Sequence, residues 1–216
     1  MRDSIGLPGR GAWGVVAVVL LVGIHLVRGG TEEWRAGGPP QPLAAAAPGL
    51  AALPAPAPAG VPGPLPPSRP ERVRVPAVRI DARVTTVGLD AQGWIDTPPA
   101  SETNLAGWFT GAVTPGEKGT AVVVGHVDTP DGRAVFYDLG ALTKGDRVEI
   151  ARKDGRTAVF SVYGIEVVPK DAFPAERIYK SAGVPELRVL TCGGGFSRQK
   201  GYEGNVVVSA RLVEVR

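Results

Sequence analysis

Covalent and metallic cross-links have almost nothing to form from in this chain. Its 216 residues include one cysteine, Cys192, and two histidines, His25 and His126, far apart in sequence. A lone thiol excludes an intramolecular disulfide framework, and this ligand set is too small for structural zinc. The acids Glu102, Asp131 and Asp171 are scattered without the spacing of a calcium loop, so neither metal nor other cofactor is expected. Charge of a single sign is missing too. The chain holds 24 basic and 21 acidic residues for a net charge of +3, and the basic ones form no stripe, which argues against nucleic acid as a partner. Long helical periodicity and internal repeats are also absent.

Glycine and proline are in excess, at 30 and 21 residues, and the prolines crowd the region before position 71. Ahead of them, Ala12–Val27 is a nearly unbroken apolar run bracketed by Arg10 and Arg28. It falls short of the ~20 residues of a typical span, a deficit that snorkelling arginines or a thin bilayer offset. No small-x-small cleavage pattern follows directly, since Arg28–Arg35 is polar and Ala44–Ala47 lies too far downstream. Residues 1–28 are therefore expected to be an uncleaved N-terminal membrane anchor rather than a removed signal peptide. Arg2 and Arg10 balance Arg28 and Arg35, so the charge rule leaves the orientation open. His25, near the end of the run, is expected to face headgroups and takes no role. Residues 29–70, rich in Pro, Ala and Gly, read as a semi-rigid linker that holds a domain off the membrane.

The domain is expected over 71–216, a length that buries about two thirds of the unfolded surface. Its pattern is almost all strand. Arg72–Ile80, Ala82–Val87, Thr120–Val127, Arg147–Arg152, Thr157–Val168, Leu187–Cys192 and Asn205–Val215 are rich in Val, Ile, Thr or Tyr and bounded by turn residues. Asp154-Gly155 signals a hairpin between the fourth and fifth of these. Helical periodicity is confined to Asn104–Trp108, Val135–Leu139 and Ala175–Tyr179. Short strands, tight turns and no long helix predict an all-β closed barrel or sandwich.

Cys192 ends an apolar run and precedes Gly193, Gly194 and Gly195, which read as a bend where another chain approaches closely. Taken alone, such a thiol is as consistent with packing as with chemistry. His126, the domain's only histidine, also ends an apolar run beside a glycine, Gly125. A thiol is mostly protonated at neutral pH, and an imidazole takes its proton or, as imidazolium, stabilises the thiolate and protonates a leaving amine. Acyl transfer further needs a group for the developing oxyanion, and Arg198, on the loop after Cys192, carries a permanent five-donor fork. Asp128 follows His126 closely and has two readings, orienting the imidazole or capping the turn before Thr129-Pro130.

Together, the strand ending Leu190-Thr191-Cys192, the strand ending Gly125-His126, the arginine after the cysteine, and an all-β domain behind an anchor and spacer resemble the sortases. These are cysteine transpeptidases that attach proteins to Gram-positive cell walls. The details GHVD at 125–128, TCGG at 191–194 and NVVV at 205–208 are most similar to the class F sortases of actinobacteria. The resemblance covers 71–216 and implies a closed eight-stranded β-barrel with short helices. It implies that Cys192 attacks the carbonyl of a sorting-signal Thr in an LPXTG-like peptide, that His126 is general acid and base, and that Arg198 holds substrate and oxyanion. Implied partners are secreted proteins bearing a C-terminal sorting signal and an amine acceptor from a peptidoglycan precursor. Implied localisation is the cell membrane, with a single N-terminal span and the catalytic domain outside.

Two departures stand out. Many sortases carry TLxTC before the thiol, whereas Arg188 stands here in place of the first Thr, with Thr191 kept. Many also place the arginine at the start of the last strand, where this chain has Asn205; Arg211 lies well inside that strand. The long connection Ile165–Ser181, with Pro174 and Tyr179, is expected to meet the sorting signal. Two other outcomes stay open at this stage. One is a cysteine peptidase or hydrolase of the same fold that passes its acyl group to water, and the other is a non-catalytic surface module with an incidental thiol. L,D-transpeptidases, which carry S-H-G-C, are set aside because Thr191 precedes the cysteine.

Overall fold

The computed structural model describes residues 38–42, 62–180 and 183–216; the expected anchor and most of the linker lie outside the described residues. In chain order the strands are β1 (Pro70–Val75), β2 (Ile80–Val87), β3 (Leu105–Phe109), β4 (Gly119–Val124), β5 (Asp128–Thr129), β6 (Gly132–Arg133), β7 (Arg147–Arg152), β8 (Thr157–Pro169), β9 (Pro185–Ser197) and β10 (Gly201–Val215), with one short α-helix, α1 (Ala175–Tyr179). Eight of them close into a barrel in the order β1-β2-β3-β4-β9-β10-β8-β7, while β5 and β6 form a separate ribbon. The expected eight-stranded barrel is thus observed. Its pairs are antiparallel apart from β2 with β3 and β4 with β9, and the second exception builds the site.

Burial on both faces explains why β4 reads as the continuous run Thr-Ala-Val-Val-Val. Ala121 and Val123 point into the barrel core with Leu187, Val189, Val206, Val208, Phe136 and Phe160. Val122 and Val124 point outward into a second apolar layer with Leu190, Val207, Val168 and Ile178. The cover of that outer layer is the β8–β9 connection, whose Phe173 and Tyr179 pack on it. A strand apolar on both faces carries no period-two alternation, which is why sequence pattern alone left barrel and sandwich open.

Three expectations change. Arg72–Ile80 is not one strand, because Pro76–Val78 makes a 3-10 turn closed by Arg79 in the left-handed region at φ 54°. Proline lacks the ladder N–H, so the chain turns there and β1 pairs with β2 as a hairpin. Asn104–Trp108 is not helical; Leu105–Phe109 is a strand parallel to β2, and its apolar spacing reflects burial from both sides. Val135–Leu139 is a run of turns leading into a 3-10 turn at Leu139–Ala141. The helix expected at Ala175–Tyr179 and the β7–β8 hairpin at Asp154-Gly155 are present, with Gly155 at φ +80° as the turn requires.

Parts of the expected linker pack on the barrel. Arg152, its side chain fully buried, donates to the carbonyls of Pro66 and Pro115 and pairs with Asp154. Leu65 N–H donates to Gly116 O at 2.8 Å. These bonds hold residues 65–69 along the outside ahead of β1.

Candidate active site

The parallel pairing of β4 with β9 decides which side chains meet. Its last register pair is Val124 with Leu190, and Gly125 N–H still donates to Leu190 O at 3.2 Å. Cys192 lies two residues past Leu190 on β9, and His126 two residues past Val124, just beyond the end of β4. On the other flank, β10 pairs antiparallel with β9 and sets Asn205 directly opposite Cys192. Cys192 and Asn205 thus face each other across β9 and β10, and His126 follows the end of β4, the strand on the other side of β9. Both His126 and Cys192 are half-buried, reachable from solvent yet flanked by the outer apolar layer.

The imidazole is oriented by backbone. Its Nε2 lies 2.7 Å from Pro98 O, and a carbonyl only accepts, so Nε2 carries a proton and, when the ring holds only one, Nδ1 is the basic nitrogen. Pro98 belongs to the β2–β3 connection. Its partner role was not legible in sequence, since a carbonyl leaves no residue-type signal. The Asp128 carboxylate accepts the hydroxyl of Tyr202. Asp128 has two readings in sequence, orienting the imidazole or capping the turn, and the bond to Tyr202 is a third contact that sequence reading passed over.

Tyr202 stands on the β9–β10 hairpin, its ring against Phe196 at 4.9 Å. Burial and the Asp128 carboxylate raise its phenol above the usual range, and the Cys192 thiol lies within electrostatic reach. Arg198 occupies the tip of this hairpin, exposed, between the closing pair Ser197 and Gly201. It forms no hydrogen bond or ion pair among the described residues. A second guanidinium, Arg133, pairs across the β5–β6 ribbon with Asp128 and lies over the Tyr137 ring at 4.3 Å.

The other expected residues lie elsewhere. Thr191 turns into the barrel opposite Val206, its hydroxyl buried and without a hydrogen-bond partner among the described residues. Arg211 is bound to Glu186 at 3.1 Å and over Tyr163, and pairs with Glu186 on β9 rather than with Cys192. Arg188 is buried as well. It pairs with Glu186 at 2.8 Å and donates from Nε to Ile178 O at 3.0 Å, fastening α1 to β9. The Arg in place of the first Thr of TLxTC thus anchors the cover over the outer layer. No cluster of metal-ligand type occurs among the described residues.

The glycines after the thiol do not form a loop, because β9 runs on to Ser197. A Cβ at Gly193 would strike Val206, and one at Gly195 would strike Glu203. Gly194, at φ +81°, supplies the bend. The chains that approach closely are β10 and residue 41.

No curated protein matches this sequence. Solved structures resemble the barrel. A lid mutant of sortase A from Corynebacterium diphtheriae has a TM-score of 0.53 at 17% identity, over 66% of this chain and 69% of that one. Sortase C-1 from Actinomyces oris has a TM-score of 0.53 at 20% identity, over 66% and 73%. Streptococcus agalactiae sortase C1, in a complex with MTSET, gives 0.52 at 22% identity, over 66% of each. At these identities the likeness speaks to fold. The sortase-domain family model matches residues 73–213, most of the chain and a stretch that includes His126, Cys192 and Asn205, and this chain belongs to the sortase family of cysteine transpeptidases.

Proposed function

We propose that Cys192 is the acyl-carrying nucleophile of a transpeptidase acting on an LPXTG-like sorting signal. The observation that carries the reading is the parallel pairing of β4 with β9 as far as Val124 and Leu190, each two residues short of His126 and Cys192. His126 Nδ1, free because Nε2 faces Pro98 O, takes the thiol proton. The sulfur attacks the signal's Thr carbonyl, an S–C bond forms, and the oxyanion draws on Arg198, with the Asn205 amide as a nearby donor. Collapse breaks the C–N bond, and the imidazolium gives its proton to the departing amine. An acceptor amine then attacks the thioester, and thiol and imidazole return to their starting states.

The finer assignment to class F rests on the GHVD, TCGG and NVVV stretches. The acceptor is read as a peptidoglycan precursor, and the site as held outside the cell membrane by the anchor at 1–28 and the linker 29–70. The β8–β9 connection, with Pro174 and Tyr179 near α1, is the proposed wall for the signal.

The test is incubation of the chain with sorting peptides, with and without amine acceptors. Acceptor-joined product supports the transferase. Hydrolysis alone across a broad amine set supports the peptidase, and no turnover by a folded chain whose Cys192→Ala variant behaves identically supports the surface module.

A further inference from the structure

The β5–β6 ribbon grows directly out of His126. Ala134 N–H donates to Val127 O and Phe136 N–H to His126 O, each at 3.0 Å, and a Cβ built on Gly125 would strike Val135 and Phe136. The base of the ribbon is thus packed down, and its register sets Asp128 directly opposite Arg133. Side chains so placed share a face, with Cβ atoms about 5 Å apart, and opposite charges there ordinarily pair. These two do not pair with each other. Asp128 Oδ2 accepts the Tyr202 hydroxyl, while the Arg133 guanidinium lies over the Tyr137 ring at 4.3 Å.

Each charge is therefore held by its own aromatic residue with binding capacity left over. Stacking occupies the face of a guanidinium and leaves its N–H edges in the plane for a carboxylate. Among the described residues Arg133 makes no hydrogen bond or ion pair, and it is exposed. Asp128 Oδ1 likewise has no partner among them. The Tyr202 phenol that holds Asp128 is within electrostatic reach of Cys192, so the open carboxylate oxygen lies on the thiol's side of the barrel, two residues from His126.

We propose that Asp128 and Arg133 bind the acceptor, and that the acceptor is an aminocarboxylate, an amine with a carboxylate on the neighbouring carbon. Asp128 Oδ1 accepts an N–H of the acceptor nitrogen, and the Arg133 fork donates to its carboxylate. The reading rests on Cys192 carrying the acyl group as described above. The neutral amine attacks the thioester carbonyl, an N–C bond forms and the C–S bond breaks. One N–H proton passes to His126 Nδ1 and from there to the departing sulfur. The amine released from a sorting signal is followed by an amide, which offers Arg133 no charge, so the pair favours acceptor over rebound leaving group.

The test gives the full chain a sorting peptide with glycine or glycinamide as acceptor. The ratio of the two acceptor kcat/KM values is compared across variants, so that intrinsic reactivity and any general loss of activity cancel. Arg133→Gln is expected to lower the glycine-to-glycinamide ratio about tenfold, the worth of one charge-assisted hydrogen bond, mainly through KM for glycine. Arg133→Lys is expected to recover part of it, and Asp128→Asn to raise KM for both amines alike. An unchanged ratio in folded Arg133→Gln overturns the site. If no form transfers its acyl group, the transpeptidase reading fails and binding alone decides the site by nuclear magnetic resonance. Glycine is then expected to shift the Asp128 and Arg133 amides saturably, glycinamide and acetate much less, and Arg133→Gln to abolish the difference. Equal shifts from all three probes, or none at the ribbon, overturn it.

Discussion

The Tyr202 hydroxyl donates to the Asp128 carboxylate, tying the hairpin that carries Arg198 to the segment two residues past His126. The bond joins the β9–β10 hairpin to the β5–β6 ribbon. A hydrogen bond to a charged acceptor contributes ~1.5–3 kcal/mol, and losing it leaves the carboxylate underserved. Tyr202→Phe keeps the ring on Phe196 and deletes only this link. Its kcat is expected to fall about tenfold at near-constant KM, and Asp128→Asn, which still accepts, is expected to retain more activity than Asp128→Ala. Steady-state kinetics with thermal melts separate this from simple destabilisation; unchanged kcat in a folded Tyr202→Phe enzyme would contradict it.

The position facing Cys192 from β10 holds Asn205, so the proposed reading draws the guanidinium for the oxyanion from Arg198. Arg198→Ala is expected to cost ~10²–10³ in kcat, the usual effect of removing an oxyanion donor. Arg133→Ala is expected to cost far less, since its guanidinium is engaged over Tyr137. Reversal of that order, read from single-turnover rates, would move the role to the β5–β6 ribbon.

Glu186 is almost fully buried between Arg188 and Arg211 and also accepts from Tyr163 at 3.1 Å. Removing it takes the carboxylate away from two largely buried guanidiniums. Glu186→Ala is expected to destabilise the fold by about 3–5 kcal/mol, seen as a lower urea midpoint. Arg188→Met, which loses the bond to Ile178 O but keeps bulk, is expected to loosen α1 and raise KM for the sorting peptide more than it lowers stability.

Phenol titration gives a pH test. Burial raises Tyr179 to about 12 and raises Tyr163, and burial with Asp128 raises Tyr202 further. The unfolded phenol ionises near 10. Folding therefore keeps these groups neutral, the stabilisation is complete below pH 10, and it fades as pH climbs through the folded values. Absorbance at 295 nm is expected to show folded tyrosines lagging the denatured chain between pH 10 and 12, and Tyr179→Phe is expected to flatten part of the alkaline fall in urea midpoint. Coincident titration of folded and denatured chains would contradict the burial.

Much of the barrel was legible because branched aliphatics bounded by turn residues mark strands whatever their neighbours. The thiol and imidazole stood out for the same reason, each ending such a run beside glycine. β3 was missed because Leu105, Ala106 and Trp108 are buried by parallel pairing with β2, a long-range event that local periodicity does not encode. Pro98 escaped notice because its carbonyl is the acting group. Tyr202 and Gln41 escaped it because their partners lie 74 and 153 residues away, and nothing in a polar residue's neighbours announces so distant a contact.

The central claim is that Cys192 carries the acyl group. Intact-protein and peptide mass spectrometry after exposure to a library of LPXTG-like peptides, without amine, tests it most directly. The account expects an adduct on Cys192 equal to the peptide truncated after Thr, lost on adding hydroxylamine and absent from Cys192→Ala and much reduced in His126→Ala. A folded, library-exposed chain that forms no adduct at Cys192, or that cleaves peptides equally well as Cys192→Ala, would contradict it.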